Sequence, residues 1–150
     1  KEMFDEGLAP EILTVDNHAD GPYLYLKMKK ENPARAKEVL ELLEMNEGNS
    51  TGHGIGCVSW DGEVYPDQFW RNRPLGNVRQ KPFSKIWTYE KNEFLMKLKD
   101  KKKHLQGRCA ACVWLNVCAG NFRARAEAAG DIWGDDPACY LMDEEITKKE

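Results

Sequence analysis

The chain has 150 residues, with 22 basic against 25 acidic side chains, a formal net charge of −3, 41% apolar and 31% charged residues. That balance supports one core of domain size, and the mild acidity speaks against a general nucleic-acid binder. No run of 18 apolar residues occurs and no charged–apolar–small leader follows Lys1. Neither a membrane span nor a secretory signal is therefore expected, and a cytoplasmic location is.

Composition divides the chain. Residues 1–50 hold no Cys or Trp and carry six basic against eleven acidic side chains, whereas 51–150 hold all five Cys and all five Trp. The shift predicts two units meeting near Glu47-Gly48-Asn49-Ser50, a polar, glycine-bearing connector. The opening Lys1-Glu2-Met3 reads as the start of a piece of something longer.

In the first unit, Ile12-Leu13-Thr14-Val15 is a short β-prone run, followed by the polar cluster Asp16-Asn17-His18-Ala19-Asp20-Gly21-Pro22. Tyr23-Leu24-Tyr25-Leu26 fits strand or helix. Asn32 and Pro33 form an N-cap and N1 pair, Ala36, Val39, Leu40 and Leu43 recur at helical spacing, and Gly48 supplies a stop. The pattern predicts a helix over about 33–46. The second unit opens with a predicted hairpin, Cys57-Val58-Ser59-Trp60 and Glu63-Val64-Tyr65 flanking Asp61-Gly62 as a two-residue turn. Leu75-Gly76-Asn77-Val78 leads into a short helix at 82–87, and Phe94, Leu95 and Leu98 mark another. The basic run Lys97, Lys99, Lys101, Lys102 and Lys103 reads as a solvated helix end, with an acidic partner as the alternative.

Chemistry concentrates in the cysteines. Cys109, Cys112 and Cys118 stand at Cys-x2-Cys-x5-Cys, with Cys139 after a gap. Without a secretory signal a disulfide framework is not expected, and clustered thiols at this spacing read as metal or cluster ligands. Cys57 fits a buried thiol at the hairpin start and is also a candidate extra ligand. A zinc site usually pairs two close knuckles; here one close pair exists, so the staggered layout leans toward a wider 4Fe–4S cluster while zinc stays open. Arg108, Arg123 and Arg125 could offset a negative cluster, and Trp114, Trp133 and Phe122 could exclude water.

Gly52-x4-Cys57, Leu75-Gly76-Asn77-Val78 with Ile86-Trp87, Cys109-x2-Cys112-x5-Cys118 and the late Cys139 together resemble the SPASM domain that follows the barrel in many radical S-adenosylmethionine enzymes. The texture of residues 16–22, with Cys118-Ala119-Gly120-Asn121-Phe122-Arg123 and Asp135-Asp136-Pro137-Ala138-Cys139, resembles the haem-biosynthesis branch of that family. The resemblance implies an α+β chain: residues 1–50 as the end of a partial (β/α)6 barrel, and 51–150 as a small iron–sulfur module with a β-hairpin and short helices. It implies one auxiliary 4Fe–4S cluster on Cys109, Cys112, Cys118 and Cys139. The first auxiliary site looks dismantled, since Phe122 stands where another cysteine is expected and none precedes Gly52.

The Cys-x3-Cys-x2-Cys motif of the catalytic cluster is absent from this sequence. No catalytic residue is therefore expected in the chain, which should be inactive alone. S-adenosylmethionine, a second 4Fe–4S cluster, an N-terminal barrel and a reducing electron donor would belong to the full-length enzyme. Its substrate would be a siroheme-derived tetrapyrrole such as didecarboxysiroheme, altered at its side chains. If 12–15 is a barrel strand, Asp16, Asn17, His18 and Asp20 sit at its C-terminal end as substrate-binding candidates. Two rivals remain at this level: a SPASM enzyme maturing a peptide, and a structural zinc module on the same four thiols.

Overall fold

The computed structural model describes residues 5–8, 16–89 and 92–147. The β-prone run 12–15 lies outside the described residues. Two helices follow it, α1 (Asp20–Glu31) and α2 (Pro33–Asn46). The segment Asp20-Gly21-Pro22, which looked like loop, is the first turn of α1. Asp20 lies at the positive end of the helix dipole, Lys29 and Lys30 lie at the negative end, and proline is tolerated where no intrahelical N–H is needed. Tyr23-Leu24-Tyr25-Leu26 is therefore helical.

Asn32 serves both helices. Its backbone N–H donates to Met28 O, and its side chain accepts from Arg35 N at 3.1 Å. With one linking residue the helices fold back on each other, and Gly21 lies against Leu43. Helix α2 ends as predicted, with Glu47 and Gly48 both left-handed.

A three-stranded antiparallel sheet follows, β1 (Cys57–Val58), β2 (Glu63–Tyr65) and β3 (Gly76–Asn77), in the order β1-β2-β3. The register pairs Cys57 with Tyr65 and Val64 with both Val58 and Gly76. The hairpin turn departs from the two-residue form. Ser59 N–H donates to Glu63 O at 2.8 Å and Gly62 N–H to Ser59 O at 2.9 Å, which makes a three-residue loop of Trp60, Asp61 and Gly62. Gly62 takes a φ of 91° after the turn, and Asp61 accepts from Glu63 N. This is the bulged hairpin, in which only one residue needs positive φ, so the exposed Trp60 is accommodated without strain.

A π-helical turn (Lys85–Tyr89) and α3 (Glu93–Lys99, capped by Asn92) come next, then a 3-10 turn (Lys101–Lys103). Four short helices complete the described chain: α4 (Gly107–Ala111), α5 (Leu115–Cys118), α6 (Arg123–Ala128) and α7 (Asp143–Ile146). Mixed short helices and a small antiparallel sheet agree with the α+β expectation.

Two apolar groups organise the packing. Val64, Trp70, Ile86, Leu95 and Leu98 are buried around the sheet and α3, with Trp70 meeting Phe94 edge-on at 5.1 Å. Ala19, Leu141 and Ile146 form the other, with Leu26, Cys112, Trp114 and Cys139 against it. Residues on both sides of the compositional boundary thus share one apolar cluster, and it lies among the cysteines.

The basic run is not a uniform solvated face. Lys97 pairs with Glu93 and Lys103 with Asp100. Lys99 donates to Trp87 O, Lys102 to Asn116, and Lys101 is buried.

Candidate metal centre

Cys109 lies in α4, Cys112 caps its end, Cys118 is the last residue of α5, and Cys139 follows the turn at Asp136. All four line one cavity, with Ala19, Leu115, Leu141 and Ile146 as apolar walls and Arg108, Asn121, Asp135 and Asp136 among the polar ones. All four are free thiols. Cys57 is half-buried at the start of β1 and is not among the residues lining this cavity.

Local hydrogen bonds fix each thiol-bearing segment. Cys109 N–H donates to Asp135 Oδ1 at 3.1 Å and Gln106 N–H to Trp133 O at 2.8 Å, which fastens α4 to the loop before Cys139. Val113 N–H donates to Ile146 O at 2.8 Å and the Trp114 indole to Glu145 O at 2.7 Å, which fastens the Cys112 turn to α7. Asp136 is buried and accepts from Ala138 N, Phe122 N and, at 2.9 and 3.1 Å, the Arg125 guanidinium. After Cys118 the backbone turns left-handed at three successive residues, with φ of 54° at Ala119, 76° at Gly120 and 56° at Asn121. A Gly-Asn pair is the local signal for such a turn.

Two of the thiols, Cys112 and Cys118, favour their protonated forms. Burial pushes Cys118 up to about 12, with the negative charge of Cys109 and Cys139 adding to it and the Asn121 N–H opposing. Burial raises Cys112 in the same way, against the N–H of Trp114, which donates to its sulfur at 3.4 Å. Thiolates drawn together repel one another, so a bound cation favours their formation. The donor set fits a thiolate-ligated group. Among the described residues no three His, Cys, Asp or Glu side chains converge closely enough for a single metal ion.

The residues read as substrate-binding have other uses as well. Asn17 accepts from Ala19 N and, at 2.7 Å, from Asn121 Nδ2, and donates to Ala138 O at 3.0 Å. Asp20 accepts from the Tyr140 hydroxyl at 2.6 Å, and burial, with that bond adding to it, raises the Tyr140 pKa. The Asp16 carbonyl accepts from Arg125. His18 packs on the Phe122 ring at 5.6 Å, and its backbone N–H donates to Asn121 Oδ1. Burial lowers its pKa, with the charges of Lys101 and Arg125 acting in the same direction, so the imidazole is neutral at pH 7. Sequence patterning placed Asn49 in a connector, Lys101 in a basic run, and Asn121, Asp135 and Asp136 in segments of family-like texture, but gave none of them a role at the site. Single polar residues carry no periodic signal, and only the fold shows what they meet.

Residues 52–113 match the SPASM domain, an iron–sulfur cluster-binding domain. The chain is also 59% identical over 150 residues to Fe-coproporphyrin III synthase of Methanosarcina barkeri, covering 97% of this chain and 38% of that protein. It is 40% identical over 134 residues to pre-heme d1 synthase of Dinoroseobacter shibae, covering 87% and 33%. It is 41% identical over 98 residues to an AdoMet-dependent heme synthase of Methanosarcina barkeri, covering 63% and 26%. No solved structure matches the chain. The chain therefore carries a SPASM iron–sulfur module and is related to radical S-adenosylmethionine enzymes of haem biosynthesis. It spans about 38% of the first of those relatives.

Proposed function

We propose that this chain is the auxiliary-cluster portion of a radical S-adenosylmethionine enzyme that alters side chains of a siroheme-derived tetrapyrrole. Cys109, Cys112, Cys118 and Cys139 are the ligands of one 4Fe–4S cluster. The observation that carries this is the common cavity lined by these four thiols, in a chain whose SPASM match includes two of them. When bound, the cluster supplies a one-electron acceptor or relay close to the substrate. The chain's own residues bind and orient: the turn at 119–121 directs Cys118, Asp135 holds the Cys109 segment, and Ala19, Leu141 and Ile146 keep water from the site.

Residues 1–50 are, on this proposal, the end of the (β/α) barrel, and 51–150 the auxiliary module. Exposed Leu24, Leu42 and Met45 on α1 and α2 support a larger body packed there. Cleavage of S-adenosylmethionine, on a second cluster, falls to residues outside this sequence, as does contact with the electron donor. Among the described residues no helix is long and apolar enough to cross a membrane, in keeping with a cytoplasmic enzyme.

The substrate side of the proposal narrows to His18 and Asp16. The His18 ring nitrogens have no hydrogen-bond partner among the described residues, and a groove formed by Asp16, Phe69, Phe122, Ala124, Arg125 and Ala128 lies beside it. A flat aromatic wall with a neutral imidazole suits a macrocycle bearing carboxylates and a central iron.

Anaerobic reconstitution tests the cluster. It should give a brown protein with about four irons per chain. Cys112→Ala should lose the iron and Cys57→Ser should keep it. A colourless protein holding one zinc per chain after the same treatment would replace the cluster with a structural ion.

A further inference from the structure

Two cations are buried beside the turn that carries Cys118, and neither has a carboxylate partner among the described residues. Arg123 is 0% exposed. Its guanidinium donates only to backbone carbonyls, Gly120 O, Ile132 O and Gly134 O, and its Nε has no partner at all. Lys101 is 5% exposed, and its ammonium donates to the carbonyl and side-chain oxygens of Asn49, whose own N–H donates to Cys118 O at 3.2 Å.

The neighbouring charges do not neutralise this pair. Arg108 is paired with Asp143, and Arg125 with Asp136. Asp67, the other buried carboxylate, accepts from the Thr51 hydroxyl at 2.7 Å and from Phe69 N at 2.8 Å; it forms no ion pair with either cation, although its charge and that of Cys118 favour the Lys101 ammonium from a distance. Lys102 lies nearby and adds to the repulsion. Two unpaired cations out of water are costly to hold. They persist in folds that supply a buried anion.

We infer that Lys101 and Arg123 are the built-in counter-charge of the cluster, Lys101 tied to Cys118 through Asn49 and Arg123 bonded to Gly120 O, and that they set its reduction potential. The inference rests on the cluster assignment above. Both are positioning residues, acting through the field and through carbonyl oxygens, and neither touches the iron. Reduction adds one negative charge to the cluster, and nearby positive charge favours that form. The protein thereby holds the cluster at a higher potential than four thiolates in an apolar pocket would alone.

The test is a dithionite titration of the anaerobically reconstituted chain, followed by electron paramagnetic resonance, with iron measured in each sample. Lys101→Met and Arg123→Gln should each shift the midpoint to more negative potential, and Lys101→Arg should restore it. Melting of the metal-free chain separates charge from structure. Removing an uncompensated buried cation should leave that melting temperature unchanged or higher. Should both neutral variants fail to hold iron while Lys101→Arg holds it, on metal-free folds as stable as the parent, the counter-charge role is upheld. An unchanged potential at full iron content overturns the inference, and so does collapse of the metal-free fold in both neutral variants. A parent chain that takes up no iron would instead refute the cluster assignment.

Discussion

Asn121 uses both ends of its amide within the protein. Its oxygen accepts from His18 N at 3.0 Å, and its nitrogen donates to Asn17 Oδ1 at 2.7 Å, across more than a hundred residues of sequence. It does so from a left-handed backbone that asparagine tolerates better than other side chains. Asn121→Gly keeps the backbone and loses the amide, which should cost about 1–3 kcal/mol in denaturant melts. Asn121→Ala adds the strain of the turn and should cost roughly 1–2 kcal/mol more. Equal losses in the two variants would mean that the turn relaxes. Lys101 gives a pH prediction for the metal-free chain. Burial, with repulsion from Arg123, pulls its ammonium down to about 7 from an ordinary 10.5. Above about pH 7 the unfolded chain binds the extra proton, so stability rises with pH. Cys118 works oppositely above about pH 9, because its buried thiol stays protonated after the unfolded one ionises. Stability of the metal-free chain should therefore rise from about pH 7 to 9 and then level off, where the two effects oppose each other, and Lys101→Met should lack the rising limb. A flat profile between about pH 7 and 9 in the parent would contradict a burial penalty on the Lys101 ammonium.

At the level of elements, the helix α2 was readable because its signals are local: Asn32 caps, Pro33 starts, and a left-handed stop ends it. Helix α1 was harder, since Asp-Gly-Pro is turn chemistry that a helix start also accepts, and packing against α2 decides between them. The four thiols were legible from spacing alone. Their supports were not, because Asp135, Asp136 and Asn49 act through backbone groups that sequence does not display. The hairpin was found, with its loop one residue longer than expected, since Asp-Gly serves both turn types. The stop after α2 also touches the site. Gly48 has a φ of 72°, and a Cβ there would lie 2.4 Å from Val117 O and 2.5 Å from the Cys118 carbonyl carbon. Gly48→Ala should thus displace α5 as well as strain the turn, lowering the melting temperature and the iron retained after desalting. Full iron content in that variant would show that the Cys118 segment moves freely of α2.

For the whole molecule, the absence of a Cys-x3-Cys-x2-Cys motif leads to a direct expectation. The reconstituted chain should hold its cluster, yet form no 5′-deoxyadenosine from S-adenosylmethionine under reducing conditions. Cleavage by this chain alone would mean that the cluster at 109–139 binds the cofactor. In the full-length enzyme, His18→Ala should weaken tetrapyrrole binding while cofactor cleavage continues, which a substrate titration beside a cleavage assay would separate. Unchanged substrate affinity would reduce residues 16–20 to a structural turn.

The bond from Asn17 to Ala138 spans 121 positions of sequence, and Ala19 shares an apolar cluster with Leu141 and Ile146. The early and late parts of the described chain are therefore buckled together, and the candidate metal centre sits at the clasp. Closing so long a loop carries an entropic cost that any ligand held at the junction helps to offset. Opening the clasp should release both straps at once. In Cys112→Ala, hydrogen exchange should quicken together at 16–31 and 138–146 while the sheet at 57–77 keeps its protection. Iron supply would then decide whether the chain is folded end to end, and an iron-starved cell would present its proteases with two loosened segments.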